Sequence, residues 1–206
     1  MIIHGIVAIS ISVSRCFLFR KHLQLKYFEN FVFISLLTFG LCSYISYIPT
    51  KGSVYLILGL IGVFGSMSSK LSFLGYSNRA QISFMGFGTT AFTLIGGLSG
   101  PILDTSFLHS KLNRFEVLGT KSLVCLFAHS LKTLYFSTSG SEAETLFALP
   151  IVEWLQLVLA VLVGTYLGRQ AVSLVSESVF HKATKGLLLC LSMFFLYRGM
   201  RHYIFI

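Results

Sequence analysis

Apolar stretches of about 18 residues recur along this chain, separated by short polar connections, and that spacing limits the fold more than any other feature. They lie at roughly 2–19, 30–48, 53–68, 83–103, 117–136, 147–168 and 185–204. A helix needs about 20 mostly apolar residues to cross a hydrocarbon core of about 30 Å. Backbone groups in lipid must also be satisfied within the segment, which selects helices here. The pattern predicts an all-α, polytopic membrane bundle of about seven spans. Composition agrees: 54% of the 206 residues are hydrophobic and 11% are charged, where soluble domains carry about a quarter charged.

The formal net charge of +9 does not indicate nucleic acid. Lys and Arg sit mostly in the short connections, where they meet anionic lipid headgroups, and no basic tail or aromatic RNA-binding motif accompanies them. Membrane lipids are the expected partners. Cys16, Cys42, Cys125 and Cys190 lie singly inside apolar runs, so they read as small hydrophobes and not as a metal site. The six histidines are scattered, which argues against an iron-dependent membrane oxidase. Residues 1–14 lack the basic start and small-residue cleavage site of a secretory signal, and Arg15, Arg20, Lys21 and Lys26 follow them. That segment reads as a retained helix with a cytoplasmic basic flank. Alternating sides from there gives nearly equal Lys/Arg counts on both faces, so charge does not set the orientation.

The connections carry their own signals. Pro49–Gly52 reads as a turn, Ser66–Arg79 as a polar connector between two halves, Ser137–Glu144 as an acidic surface loop, and Gly168–Lys185 as a basic amphipathic connector. The chain then forms one transmembrane domain, 1–206, with halves at 1–68 and 83–206.

Residues 84–136 hold the candidate chemistry. Gly86, Gly88, Gly96, Gly97, Ser99, Gly100 and Pro101 crowd one apolar run. Glycine opens backbone conformations closed to other residues, and Pro101 removes a donor and disfavours helix at Gly100. A break is expected near 96–101, and its freed backbone groups suit an ion. Gly96 and Gly100 also have the GxxxG spacing of close helix packing, but the adjoining Pro101, Asp104 and basic helix favour a ligand site. In the next run Lys121, Cys125, His129 and Lys132 fall at helical intervals and form one stripe. Lys121 reads first as an interfacial lysine and Lys132 as able to reach the far interface. His129 lies deep enough to face protein or a watery cavity, holding helices together or binding a solute. The shared stripe favours a positively lined path. Arg114 and Glu116 steer anions or pair with each other. Gly164–Gly168 reads as a packing face. Glu153 and Trp154 suit a helix start at the headgroups. No Ser-His-Asp set, paired catalytic carboxylates or phosphate loop is present, and His109 and His181 stand alone; no enzyme, cofactor or metal is expected.

These residues resemble the TauE/SafE family of membrane permeases, often described as sulfite exporters. The resemblance rests on GGLSGPILD at 96–104, LNRFEVLGTK at 112–121, HSLK at 129–132 with Tyr135 and Phe136, GTYLGR at 164–169 and SESVF at 176–180. It covers roughly residues 84–180. It implies two similar halves, each opening on a glycine-rich helix; the second such helix is present and the first lacks a counterpart in residues 1–83. It also implies a secondary transporter of small anions such as sulfite, sulfonates or related organosulfur compounds, in the cell membrane. A homo-oligomer or a completing subunit would supply the missing half, and a non-transporting, degenerate relative is the alternative. Carried over by position, the substrate contacts are Gly96, Gly97, Gly100, Pro101, Asp104, Arg114, Thr120, Lys121, His129 and Lys132.

Overall fold

The computed structural model describes residues 2–45, 50–67, 76–97, 99–138 and 150–204. Every regular element among them is helical: α1 (Ile2–Leu18), a 3-10 turn (Arg20–His22), α2 (Phe28–Ile45), α3 (Lys51–Met67), α4 (Arg79–Gly96), α5 (Gly100–Leu108), α6 (Arg114–Thr138), α7 (Ile151–Leu174) and α8 (Glu177–Ile204). Among the described residues three helices, α2, α7 and α8, are long and apolar enough to cross a membrane, while α1 and α3 are apolar but shorter. The expected runs at 83–103 and 117–136 are helical but do not join those three. Large apolar side chains stay exposed along α7, among them Leu155, Leu159, Leu162, Val163 and Leu167. Such a surface is at home in lipid.

The chain forms two compact units that are each discontinuous in sequence. One comprises residues 1–25 and 113–176, the other 26–112 and 177–206. They cut across the sequence halves.

In the first unit α1 pairs mainly with α6 and also touches α7. The α1–α6 pair is antiparallel and closed by a glycine near each end. A Cβ at Gly5 would strike the Thr133 side chain, and one at Gly119 would lie 3.2 Å from the Phe19 backbone oxygen. Without side chains at those points, the two backbones approach closely.

In the second unit α3 and α8 pair through a glycine ladder. A Cβ at Gly59 would lie 2.7 Å from Leu196 and one at Gly199 2.7 Å from Leu56, while Gly62 faces Ser192. Gly52 meets His202 and Tyr203, so these helices too run antiparallel. By contrast, α2 and α4 run side by side in the same direction. Arg79 and Glu29, at their starts, pair at 3.7 Å, and Gly86 faces Phe31 and Ile34 further along.

The expected break is present, but it does something the sequence did not predict. Helix α4 ends at Gly96, Gly97 takes the left-handed conformation (φ 73°), and its N–H bonds back to the Thr93 carbonyl. This is an αL cap that glycine adopts without a Cβ penalty. Helix α5 then opens with Pro101 in its first turn, where the missing N–H has no intrahelical partner to lose. Gly88 faces Ile102, and the Tyr76 and Phe107 rings stack 5.3 Å apart, so α5 doubles back along α4. The expected single span at 83–103 is therefore a hairpin. Its second arm is about 14 Å long at 1.5 Å per residue, less than half a hydrocarbon core.

A second correction concerns the expected connector at 168–185. Helix α7 continues to Leu174 and α8 begins at Glu177, so only Val175, which is extended, and Ser176 interrupt the helix across that stretch. The start of the turn at Pro49, most of the connector at 66–79 and all but Ser137 and Thr138 of the acidic loop at 137–144 lie outside the described residues.

Candidate functional site

The ten sequence-selected residues divide between the units. Gly96, Gly97, Gly100, Pro101 and Asp104 belong to the second; Arg114, Thr120, Lys121, His129 and Lys132 belong to the first.

Helix α6 begins with a reciprocal cap. Asn113 Oδ1 accepts from the Glu116 N–H at 3.0 Å, and Glu116 Oε2 accepts from the Asn113 N–H at 2.9 Å. This capping box satisfies two otherwise orphaned donors. Glu116 Oε1 also accepts from the Gln24 side-chain amide at 2.6 Å, and Thr120 Oγ1 accepts from the Gln24 backbone N–H at 3.0 Å. Glu116 and Thr120 therefore hold the segment after α1 onto the start of α6. The Arg114 guanidinium lies 4.8 Å from the Phe115 ring centre, and the rings of Phe115 and Phe19 stack at 6.1 Å. Glu116 and Thr120 hold structure together here; the anion-steering reading of Glu116 gains nothing from these bonds.

Toward the other end of the same seam lies the chemical cluster. Lys132 is 1% exposed; instead of reaching outward, it turns into the chain. Its Nζ lies 3.2 Å from His4 Nδ1. An ammonium has no lone pair, so it donates, and His4 Nδ1 accepts with its proton held on Nε2. The His4 and His129 rings meet edge-on with centres 5.7 Å apart. His129 Nδ1 is buried and has no hydrogen-bond partner among the described residues. Such an atom loses its hydration without replacement, about 1–3 kcal/mol on the protein mutational scale. Lysine is almost never fully buried without good reason. Together these make a small basic cluster: one buried ammonium, one imidazole bonded to it, and one imidazole nitrogen without a bond. Lys121 and Cys125 are only half-buried on the same stripe.

Sequence reasoning missed His4. Its one signal was a histidine alone in an apolar run, on the helix whose glycine allows contact with α6.

In the second unit Gly96 packs on Val54 of α3, the packing reading of that glycine. Gly97 supplies the cap, and Gly100 has open space where a Cβ would sit. Asp104 is half-buried on α5. His109 Nε2 sits 2.7 Å from the Gly65 carbonyl oxygen, donating to it and joining the end of α5 to α3. A different set of polar groups stands out. The hydroxyls of Ser35, Thr89, Thr90, Thr93 and Thr105 are buried without a hydrogen-bond partner among the described residues. The usual solution is a bond to the carbonyl four residues back, and Thr38 and Ser106 do make it. Each bare hydroxyl forgoes about 1–3 kcal/mol. The run TTAFT at 89–93 was legible, but its lack of partners was not. Gly164 and Gly168 on α7 have nothing within 4 Å of an added Cβ, so the packing reading gains no support within the chain.

Comparison with known proteins returns no match: no family model, no curated protein and no solved structure matches the chain. The resemblance rests on the quoted residues alone.

Proposed function

We propose that this chain is a multi-pass carrier for small anions in the cell membrane, with about seven spans and of the TauE/SafE kind. Sulfite, sulfonates and related organosulfur anions form the substrate class. One observation carries the reading: a fully buried lysine whose ammonium contacts an imidazole beside a second imidazole bearing an unbonded nitrogen. A buried positive charge costs much to maintain, and an intramembrane ionisable group is a functional hypothesis by default.

The chemistry follows from the donors. Lys132 offers three N–H groups and a full charge, so it can hold a solute anion while still bonding His4. His129 Nδ1 serves as a donor or an acceptor according to which ring nitrogen carries the proton. An anion arriving with or without a proton would meet a matching group. Transport of this sort breaks no covalent bond, so the carrier reading requires no catalytic residue.

The test is anion flux in proteoliposomes with sulfite and a short alkyl sulfonate as probes. Lys132→Ala is expected to lower flux at least about tenfold, the size of one lost charge-assisted hydrogen bond. Lys132→Arg keeps the charge and is expected to retain part of it. Flux equal to the parent chain in an inserted Lys132→Ala protein would sink the proposal.

A further inference from the structure

The second unit carries an unassigned polar site in the seam between α2 and α4. Gly86, Thr89, Thr90 and Thr93 lie within about 60° of one line along α4 at 3.6 residues per turn. That line faces α2, since a Cβ at Gly86 would lie 3.2 Å from the Phe31 backbone oxygen and 3.5 Å from Ile34. The two helices run in the same direction from the Glu29–Arg79 pair. Ser35, one turn beyond Phe31, therefore comes level with Thr89 and Thr90, and Thr93 follows one turn on. All four hydroxyl residues are fully buried, and none of the four oxygens has a hydrogen-bond partner among the described residues.

From this arrangement we infer that the α2–α4 seam binds a sodium ion. Four neutral oxygens brought to one seam, with no bond among themselves, are hard donors suited to a small hard cation. Between Phe31 and Thr38 on α2, and between Ile82 and Gly96 on α4, no side chain is charged. Calcium sites draw on carboxylates and magnesium resists dehydration, so an uncharged oxygen set suits a monovalent ion. The local field has the matching sign. Thr93 is in the last turn of α4 before the Gly97 cap, where unsatisfied carbonyls make the negative end of the helix dipole. Helix α5, whose positive end would favour an anion, lies on the Gly88 side of α4, roughly opposite the hydroxyl line. Interrupted helices in carriers expose such carbonyl ends to a coupling ion.

The inference is independent of the anion cluster, because ion binding is read without flux. Thermal unfolding of the purified full chain in detergent tests it, in sodium chloride against choline chloride at equal ionic strength. The parent chain is expected to unfold about 2–4 °C higher in sodium. Thr93→Val, which keeps the side-chain shape, and Ser35→Ala should each remove most of that difference while leaving the choline value equal or higher. Direct binding of radioactive sodium to the parent chain by equilibrium dialysis gives a second reading that no variant can confound. Equal midpoints in both salts together with no bound sodium would overturn the inference, leaving buried water or bare hydroxyls. So would a sodium effect that survives in a Ser35→Ala, Thr93→Val double variant. An inactive anion cluster would change none of these outcomes.

Discussion

The α1–α6 seam and the α2–α4 seam both bury polar groups between two helices, yet they treat them in opposite ways. In the first, the buried charge, an ammonium, contacts an imidazole on the facing helix, and the neighbouring His129 Nδ1 stays unbonded among the described residues. In the second, the buried groups are neutral hydroxyls, left without a bond. The contrast follows from magnitude. An unpaired buried charge costs several kcal/mol even after relaxation, so a fold that keeps one must bring a partner. A bare hydroxyl costs about 1–3 kcal/mol, which a fold can tolerate and a ligand can recover. Both seams nevertheless rely on glycine for close approach, Gly5 and Gly119 in one and Gly86 in the other.

The largest test of this contrast is to force each seam apart. Gly5→Val and Gly86→Val should each destabilise by about 1–3 kcal/mol or more, read as a lower unfolding midpoint. Gly86 faces a backbone oxygen that cannot rotate away, whereas Gly5 meets a threonine side chain. We expect the Gly86 variant to suffer more; a larger loss at Gly5 would show that the cationic seam is the tighter of the two.

A smaller effect separates the helix starts. Asn113 Oδ1 caps α6 and Asn78 Oδ1 caps α4, the latter accepting from the Gln81 N–H at 2.9 Å. Replacing either by alanine should cost about 1 kcal/mol. Asn113→Ala should cost more, because its partner Glu116 also holds Gln24. Equal losses from the two variants would mean that the Gln24 clasp adds nothing to the cap.

The smallest effect is alkaline and should appear in the second unit alone. Burial pushes the Tyr76 phenol up to about 12, and its hydroxyl donates to the Lys26 carbonyl at 3.2 Å. A group whose folded pKa is raised prefers its protonated form in the folded state. Its stabilisation is therefore complete below about pH 10 and is lost as pH rises toward 12. Hydrogen exchange should loosen around Tyr76 and Phe107 across that window, and Tyr76→Phe should flatten the change. Loosening of α1 and α6 over the same window, in the Tyr76→Phe chain as well, would assign the effect elsewhere.

How much of this could be read beforehand differs by element. The break at 96–101 was legible because Gly97 and Pro101 act within one turn of themselves. The doubling back of α5 was not, since a glycine hinge permits many directions and the one taken depends on which faces find cover. The stripe of Lys121, His129 and Lys132 was legible from spacing. The inward turn of Lys132 was not, for the same spacing serves a lysine that reaches the membrane surface. The helical runs at 169–185 were read as a connector because basic residues suggested an exposed segment, although the helix is interrupted there only at Val175 and Ser176.

By itself the sequence determined an apolar, helical chain and the place of its interruption. Each of these follows from hydrogen bonds closed within about four residues or from transfer of side chains out of water. Only the tertiary structure decided that His4 meets Lys132, that Gln24 clasps Glu116 and Thr120, and that the hydroxyls on α4 go without partners. Those pairs lie far apart in the chain, and their meeting depends on which helix faces close against one another, a choice no local pattern records.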